Sequence, residues 1–340
     1  MKSKSSISDL IRKLFTEKII YVVLLVLIVV IICIEPRFLS VSNFSNILAQ
    51  SSTRIIIALG AGMVLLVRGC DLSTGRMIGL AAVISASMLQ DVGYAYRMYP
   101  HLKELPIIVP LLLVIALCAL LGMISGICVA QLKVPAIIAT LSMQLGLYGA
   151  SSIYFDREPY GAQPIGGITP RLTKLCTGGV KFGSFRLPYL TIIAIAAIVF
   201  VWILWNKTKF GKYIYAVGGN PEAAQVSGVN VKKVLIETYS LAAVMYAIAA
   251  VLEVGRFGSA SNTTGNGYEM DAIASCVVGG VSMSGGVGSV GGIVIGVLIF
   301  TVINYGLSFI GVNMYWQYIV KGLIILLAVI VDMRKYAKRK

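Results

Sequence analysis

Charge is scarce in this sequence. Asp, Glu, Lys and Arg make up 13% of its 340 residues, against 58% hydrophobic residues, whereas ordinary soluble domains carry about 25% charged residues. So little charge excludes a chain that folds in water, because too much apolar surface would stay exposed. Histidine is scarcer still. The single one, His101, falls in a hydrophilic stretch between apolar runs, which leaves no basis for histidine metal sites or catalytic triads. The six cysteines show neither ligand-like spacing nor a disulfide framework. Cys33, Cys118, Cys128 and Cys276 lie in apolar runs, Cys70 beside a span end and Cys176 alone in a loop, and all read as packing residues. No G-x-x-x-x-G-K-[ST] motif is present. Phe210-Gly211-Lys212 is followed by Tyr213 and lacks the upstream glycine, so the chain is not expected to hydrolyse ATP or to bind a cofactor. No acid–base constellation supports a membrane enzyme. A small-residue cleavage site is also missing after the first apolar run, which ends at Glu35-Pro36 and reads as a signal anchor.

What the chain does have is long apolar runs, such as residues 19–34, 106–130 and 188–205, all without charge. A bilayer core takes roughly 20 such residues per helix. Hydropathy with Lys/Arg placement predicts an all-α polytopic membrane protein of about ten segments. They fall near 19–35, 53–69, 76–91, 106–131, 135–155, 188–206, 233–254, 270–283, 289–310 and 315–332. The formal net charge of +15 is concentrated beside spans: Lys2, Lys4, Arg12, Lys13 and Lys18; Lys207, Lys209, Lys212, Lys232 and Lys233; Arg334, Lys335, Lys338, Arg339 and Lys340. Basic residues beside spans mark the cytoplasmic face, so both termini are expected inside, with Arg68, Arg76 and Lys133. The excess is topology and not a nucleic-acid site. The organisation predicted is a leader (1–18), one membrane domain (19–332) with a cytoplasmic loop at 207–232, and a basic tail (333–340).

The eighth segment, DAIASCVVGGVSMS, is too short to cross alone and runs into GGVGSVGG. A short or broken helix is expected there, covered by protein. The polar-glycine break GCDLSTGRMIGLAA after the second segment echoes it, and paired interruptions of this kind point toward transport pathways. Gly75 and Gly79, Gly122 and Gly126, and Gly288, Gly292 and Gly296 are spaced by four, which lets helix backbones approach closely. Most should pack within the bundle, and a subset against a second copy.

One polar stretch breaks the pattern: GGNPEAAQVSGVN, residues 218–230. Asn220 is a good N-cap, Pro221 suits the first helical position, and Glu222 meets the positive end of the dipole. Ala223 and Ala224 favour helix, and Gly228 stands where a left-handed residue ends one. About two turns are expected. A helix under about 12 residues is marginal alone, so it must dock, either as a plug in its own bundle's mouth or against a cytoplasmic partner.

Glu222-Ala223-Ala224…Gly228 resembles the Glu-Ala-Ala-x-x-x-Gly coupling loop of ABC-importer permeases. The contexts KFGKYIYAVGGNPEAAQVSGVNV, DLSTGRMIGLAAV, GSASNTTGNGYEMDAIASCVVGGVSMSGGVGSVGG, VINYGLSFIGVNMYWQYIVKG and SNILAQSSTRIIIALGAGM resemble the ribose/galactose branch of that family. Within it the likeness runs to galactose/methyl-galactoside permeases, with ribose or another monosaccharide as the alternative cargo. The resemblance implies a pathway built from two copies in the bacterial inner membrane. It also implies a separate cytoplasmic ATPase holding ATP-Mg and a secreted sugar-binding protein, with Asn220, Pro221, Glu222, Ala223, Ala224 and Gly228 docking on the ATPase.

Ionisable groups at membrane depth are functional candidates. Asp71 follows the second segment near a predicted boundary. Glu253 and Arg256 close the seventh and are placed to pair across a turn. Glu269 and Asp271 open the eighth, either as helix-dipole partners or as contacts for the binding protein or outer gate. Arg54 reads as a boundary anchor. Lys321 either snorkels to the headgroups or pairs with Glu253 or Asp271. For a neutral sugar, a path lined by Ser73, Thr74, Thr140, Ser142, Gln144 and Asn304 is expected, with Thr140 and Gln144 sharing a face. The rival reading, an ion-coupled transporter, wants a buried carboxylate or a broken-helix cation site, whereas the acids here fall near predicted span ends.

Overall fold

The computed structural model describes residues 19–157, 161 and 163–337; the predicted leader, and residues 338–340 of the tail, lie outside them. Among the described residues there are thirteen α-helices and one two-stranded hairpin. In chain order the helices are α1 (Ile19–Ile34), α2 (Val41–Leu66), α3 (Thr74–Met88), α4 (Ile108–Ala130), α5 (Ala136–Phe155), α6 (Pro170–Thr177), α7 (Tyr189–Lys207), α8 (Lys209–Gly219), α9 (Pro221–Val226), α10 (Val231–Phe257), α11 (Tyr268–Val278), α12 (Val290–Phe309) and α13 (Met314–Ala337). The strands β1 (Gly179–Phe182) and β2 (Phe185–Pro188) pair antiparallel, with Gly179 opposite Pro188.

Six helices, α2, α4, α5, α7, α10 and α12, are long and apolar enough to cross a membrane. Each of the ten predicted segments coincides with a helix, but the boundaries differ in instructive ways. Helix α2 starts twelve residues before the expected position because Ser40 caps it, accepting from the Asn43 amide at 3.2 Å. Helix α13 continues to Ala337, past the predicted start of the tail. The stretch between the fifth and sixth predicted segments holds α6 and the hairpin, and Cys176, expected in a loop, is buried on α6. Its neighbour is Gly255, where a methyl group would lie 2.5 Å from the Cys176 sulfur.

Burial sorts the helices. The most apolar windows of α2 and α10 are 78% and 61% buried, against 22–28% for α4, α5 and α7. The first two are therefore the core and the last three its apolar jacket, suited to lipid. Helix α10 packs along α4 and α2, and α11 along α12 and α2. The glycine pairs explain these seams. A Cβ on Gly122 would lie 2.5 Å from the Tyr239 carbonyl, and one on Gly126 would lie 2.7 Å from the Ile236 Cα. On the other seam, a Cβ on Gly292 or Gly296 would lie about 2 Å from the carbonyls of Gly279 or Ser275. Gly75 and Gly79 meet Gly265 and Thr264. The pairs expected in part to face a second copy are all occupied inside the chain.

Two interruptions shape the interior. After α2 the chain turns through residues 67–73 and returns as α3, whose fifteen residues span about 22 Å, less than the ~30 Å hydrocarbon core. After the eleven-residue α11, residues 279–289 form a glycine-rich connection to α12.

Candidate functional site

The coupling stretch folds as two helices and not one. Thr208 caps α8, accepting from the Gly211 amide at 3.2 Å, and α8 then leads into α9. Asn220 Oδ1 accepts from the Ala223 amide at 3.0 Å, Pro221 takes the first helical position, and Gly228 adopts φ +85°. The predicted Ala-Ala docking face needs correction. Consecutive residues on a helix point about 100° apart, and here Ala224 is buried against the protein's own core while Ala223 is exposed. Glu222, Gln225 and Val226 also face outward, and Val226 is 91% exposed. Ala224 seats the helix on the protein's own core and Ala223 is left on the open face.

The end of α8, just before this helix, is tied to the bundle. Arg68, at φ +63°, points its Nε at the Gly218 carbonyl (2.7 Å) and an Nη at that of Gly219. The Gly286 amide donates to the Leu66 carbonyl at 2.8 Å.

At the other end of α11 lies a cavity of about 150 Å³ between α2, α11, α12 and α13. Asp271 receives Lys321 Nζ at 3.0 Å and Arg54 Nη1 at 3.5 Å. The Arg54 guanidinium lies 3.5 Å from the Tyr268 ring centroid, a cation–π stack. Gln50, Ser275, Thr301, Asn304, Ser308 and Gln317 complete the polar lining, and the Asn304 Oδ1 is buried without a hydrogen-bond partner. Lys321 thus takes the pairing alternative, with Asp271. Arg54, expected at a boundary, belongs to this ion group. With α2 beginning at Val41, it sits thirteen residues into the helix. The missed signal was the Ser40 cap; with it, Arg54, like Gln50, would have been placed mid-helix as an expensive charge or amide.

The remaining candidates sort into three places. Glu253 is fully buried, accepts from Thr53 Oγ1 at 2.5 Å and pairs with Arg256 at 3.4 Å, one turn away as expected. Asp71, expected near a boundary, is 4% exposed. Its carboxylate accepts from the Ser73 amide (3.0 Å) and hydroxyl (2.6 Å), while Thr74 Oγ1 donates to the Asp71 carbonyl. Ser73, Thr74 and Thr140 are fully buried. Thr140 Oγ1 donates to the Cys70 carbonyl at 2.9 Å, so these three hold the first interruption together and do not line an open path. Gln144, one turn on from Thr140, is only partly buried, and Ser142 is exposed. Glu269 is buried, with Oε2 against Gly75 and no hydrogen-bond partner. Arg76, expected inside, donates to the Asn262 carbonyl (3.1 Å) and Asn266 Oδ1 (2.9 Å), in the stretch expected outside. The fold-back after α2 brings the start of α3 into the bundle, where the two meet. Among the described residues no cluster of three or more His, Cys, Asp or Glu could hold a metal.

A helical membrane bundle with a capped, exposed foot at one end and a polar cavity at the other has the architecture of a transport subunit. Residues 43–329 match the model of the family described as "Branched-chain amino acid transport system / permease component", and the chain belongs to that family. It is 54% identical over 94% of its length to the galactose/methyl galactoside import permease protein of Escherichia coli (strain K12), covering 95% of that protein. The same-named protein of Haemophilus influenzae is 52% identical over 96% of this chain and 97% of its own. The ribose import permease protein of Escherichia coli (strain K12) is 39% identical over 92% of each. No solved structure matches the chain.

Proposed function

We propose that this chain is the membrane-spanning permease subunit of an ABC importer in the bacterial inner membrane, admitting galactose and methyl galactosides. The observation that carries the reading is the foot: a six-residue helix, capped at both ends, seated through Ala224 and presenting Glu222, Ala223, Gln225 and Val226 outward. A helix this short does not persist in water unaided, and an almost wholly exposed Val226 suits a surface that is covered when in use. The cover is a separate ATPase carrying ATP-Mg. Two copies form the pathway, about ten segments enter the membrane with both termini inside, α3 and α11 being too short to cross alone, and α6 with the β1–β2 hairpin receives a sugar-loaded binding protein. The cavity beside Asn304 serves the path: amides, hydroxyls and a paired ion group suit a neutral polyol better than an unpaired charge would. The choice of galactose over ribose rests on 52–54% identity to galactoside permeases against 39% to the ribose permease.

The buried Asp71 and Glu269 favour a second reading, ion-coupled transport, since such carriers place acids at helix breaks. Against it, Asp71 is already occupied by Ser73, and ion coupling gives no use for the exposed foot. Reconstituting the chain with its ATPase and binding protein in liposomes tests the choice. Galactose uptake is expected to require internal ATP hydrolysis and to ignore a proton uncoupler. Uptake that collapses with the uncoupler and persists without ATP would transfer the assignment to the ion-coupled class.

A further inference from the structure

Three separate stretches of backbone converge on one point. The Leu66 carbonyl at the end of α2 accepts from the Gly286 amide at 2.8 Å. A Cβ on Gly218 would lie 1.7 Å from that same carbonyl oxygen and 2.5 Å from the Gly286 nitrogen. Arg68 closes the knot, its guanidinium holding the last two carbonyls of α8, Gly218 and Gly219. A planar fork suits two neighbouring acceptors, and a cation suits the negative end of a helix. Arg68 does this from a left-handed backbone, φ +63°, which an L-residue rarely adopts without a compensating role.

From the knot the structure continues without slack. Between Gly286 and α11 the chain is tied back by its own amides: Ser282 to the Val287 carbonyl, Val281 to that of Cys276 and Gly280 to that of Val277, each at 2.9 Å. Val281 and Ser282 are fully buried. Helix α11 is then an unbroken run of eleven residues, about 16 Å long. It is flanked by Gly267 at φ +78° and Gly280 at φ +86°, the second a turn already pinned by the amides of Gly280 and Val281. Its far end carries Asp271, which holds both Arg54 and Lys321 at the cavity.

We infer that Arg68 is a positioning residue for import: it makes the ATPase foot, the end of α2 and α11 move as one body, so that displacement of the foot reaches the Arg54–Asp271–Lys321 group. The inference rests on the foot being the ATPase dock, and the test separates the two ideas. The full complex is prepared in nanodiscs with Arg68→Ala, Arg68→Lys and wild-type permease, each also carrying Ala223→Cys for cross-linking to the ATPase. Arg68→Ala is expected to keep the cross-link and the basal hydrolysis rate. Stimulation of hydrolysis by sugar-loaded binding protein should fall about tenfold, within the usual range of coupling between sites, and uptake should fall with it. Arg68→Lys keeps the charge but offers a point donor in place of a fork, and should fall between the two. A spin label at Met270, half-exposed beside Asp271, should shift on ATP binding in wild type and stay still in Arg68→Ala.

Full stimulation and a normal Met270 shift in Arg68→Ala, with the cross-link intact, would overturn the inference and leave the dock standing. Loss of the cross-link in wild type would remove the dock and the inference together. Should Arg68→Ala fail to accumulate, Arg68→Lys decides: wild-type stimulation and label shift in that variant refute the fork, and a partial loss of both supports it.

Discussion

The two interruptions look alike in sequence, each a glycine-bearing polar stretch between apolar runs, yet they are held in different proportions by side chains and backbone. After α2, side chains do the holding: the Asp71 carboxylate on Ser73, Thr140 on the Cys70 carbonyl and Arg68 on the end of α8. After α11 the backbone does most of it, by amide–carbonyl bonds and by glycines that admit another backbone where a side chain would stand, with the Tyr215 hydroxyl on the Gly288 carbonyl and the Ser282 hydroxyl under the Ser284 amide as added ties. The helices also differ in sense, a long helix entering the first break and a short one the second. A shared sequence signature therefore does not imply a shared geometry. The first break is sensitive to lost polar partners, the second to added bulk.

The largest expected effect tests the second break. Gly292→Val places carbon about 2.1 Å from the Gly279 carbonyl, so the α11–α12 seam must part. A penalty of at least the ~1–3 kcal/mol of an overpacked core is expected, read as loss of monodisperse protein and a lower melting temperature in detergent. Near-wild-type melting would show that this break is not held by close approach. Next comes the first break. Asp71→Ala strands the Ser73 amide and hydroxyl in the core, at about 1–3 kcal/mol, whereas Asp71→Asn keeps an acceptor and should melt closer to wild type. Equal melting temperatures for the two variants would deny the carboxylate its holding role.

The cavity sharpens the contrast from outside both breaks. Asp271→Asn leaves Arg54 and Lys321 together without their shared anion, while Lys321→Met leaves Asp271 still paired with Arg54. Uptake should therefore suffer more from the first. Both should cost less than the ~3–5 kcal/mol of a fully buried broken pair, because these side chains keep about one-fifth of their exposure. Lys321→Met as damaging as Asp271→Asn would show that the lysine acts other than through Asp271. The smallest effect concerns caps. Asn220→Ala and Asn230→Ala each remove one bond of 3.0 Å to an amide, about 1 kcal/mol. Only the first should lower uptake beyond its effect on stability, since only the first shapes the foot. Equal transport losses would mean that the foot's rigidity is immaterial.

Much of this was legible in the residues. Apolar run length locates ten of the helices, though not α6 or α8, and Asn220-Pro221 with Gly228 locates both ends of the foot, because caps are local chemistry. The pairing of Lys321 with Asp271 was one of two partners that charge scarcity left open. What could not be read were matters of depth and direction. Whether Arg76 faces inside or meets Asn262 depends on the fold-back at Asp71, a tertiary event with no local marker. Which alanine faces outward depends on how the core receives the helix, and α8 reads as loop because its polar ends, Lys209 and Gly219, mask a helical middle. Arg54 was misplaced by an unrecognised cap at Ser40, a miss the sequence could have prevented.

What the foot touches decides how import is driven. A cysteine at Ala223 in the intact complex, treated with a short cross-linker with and without nucleotide, is expected to capture the ATPase subunit in a nucleotide-sensitive way. A cysteine at Ala224, seated against the core, should not. Failure of Ala223 to capture the ATPase, together with unaltered galactose uptake after residues 221–226 are replaced by a flexible segment of equal length, would contradict the account.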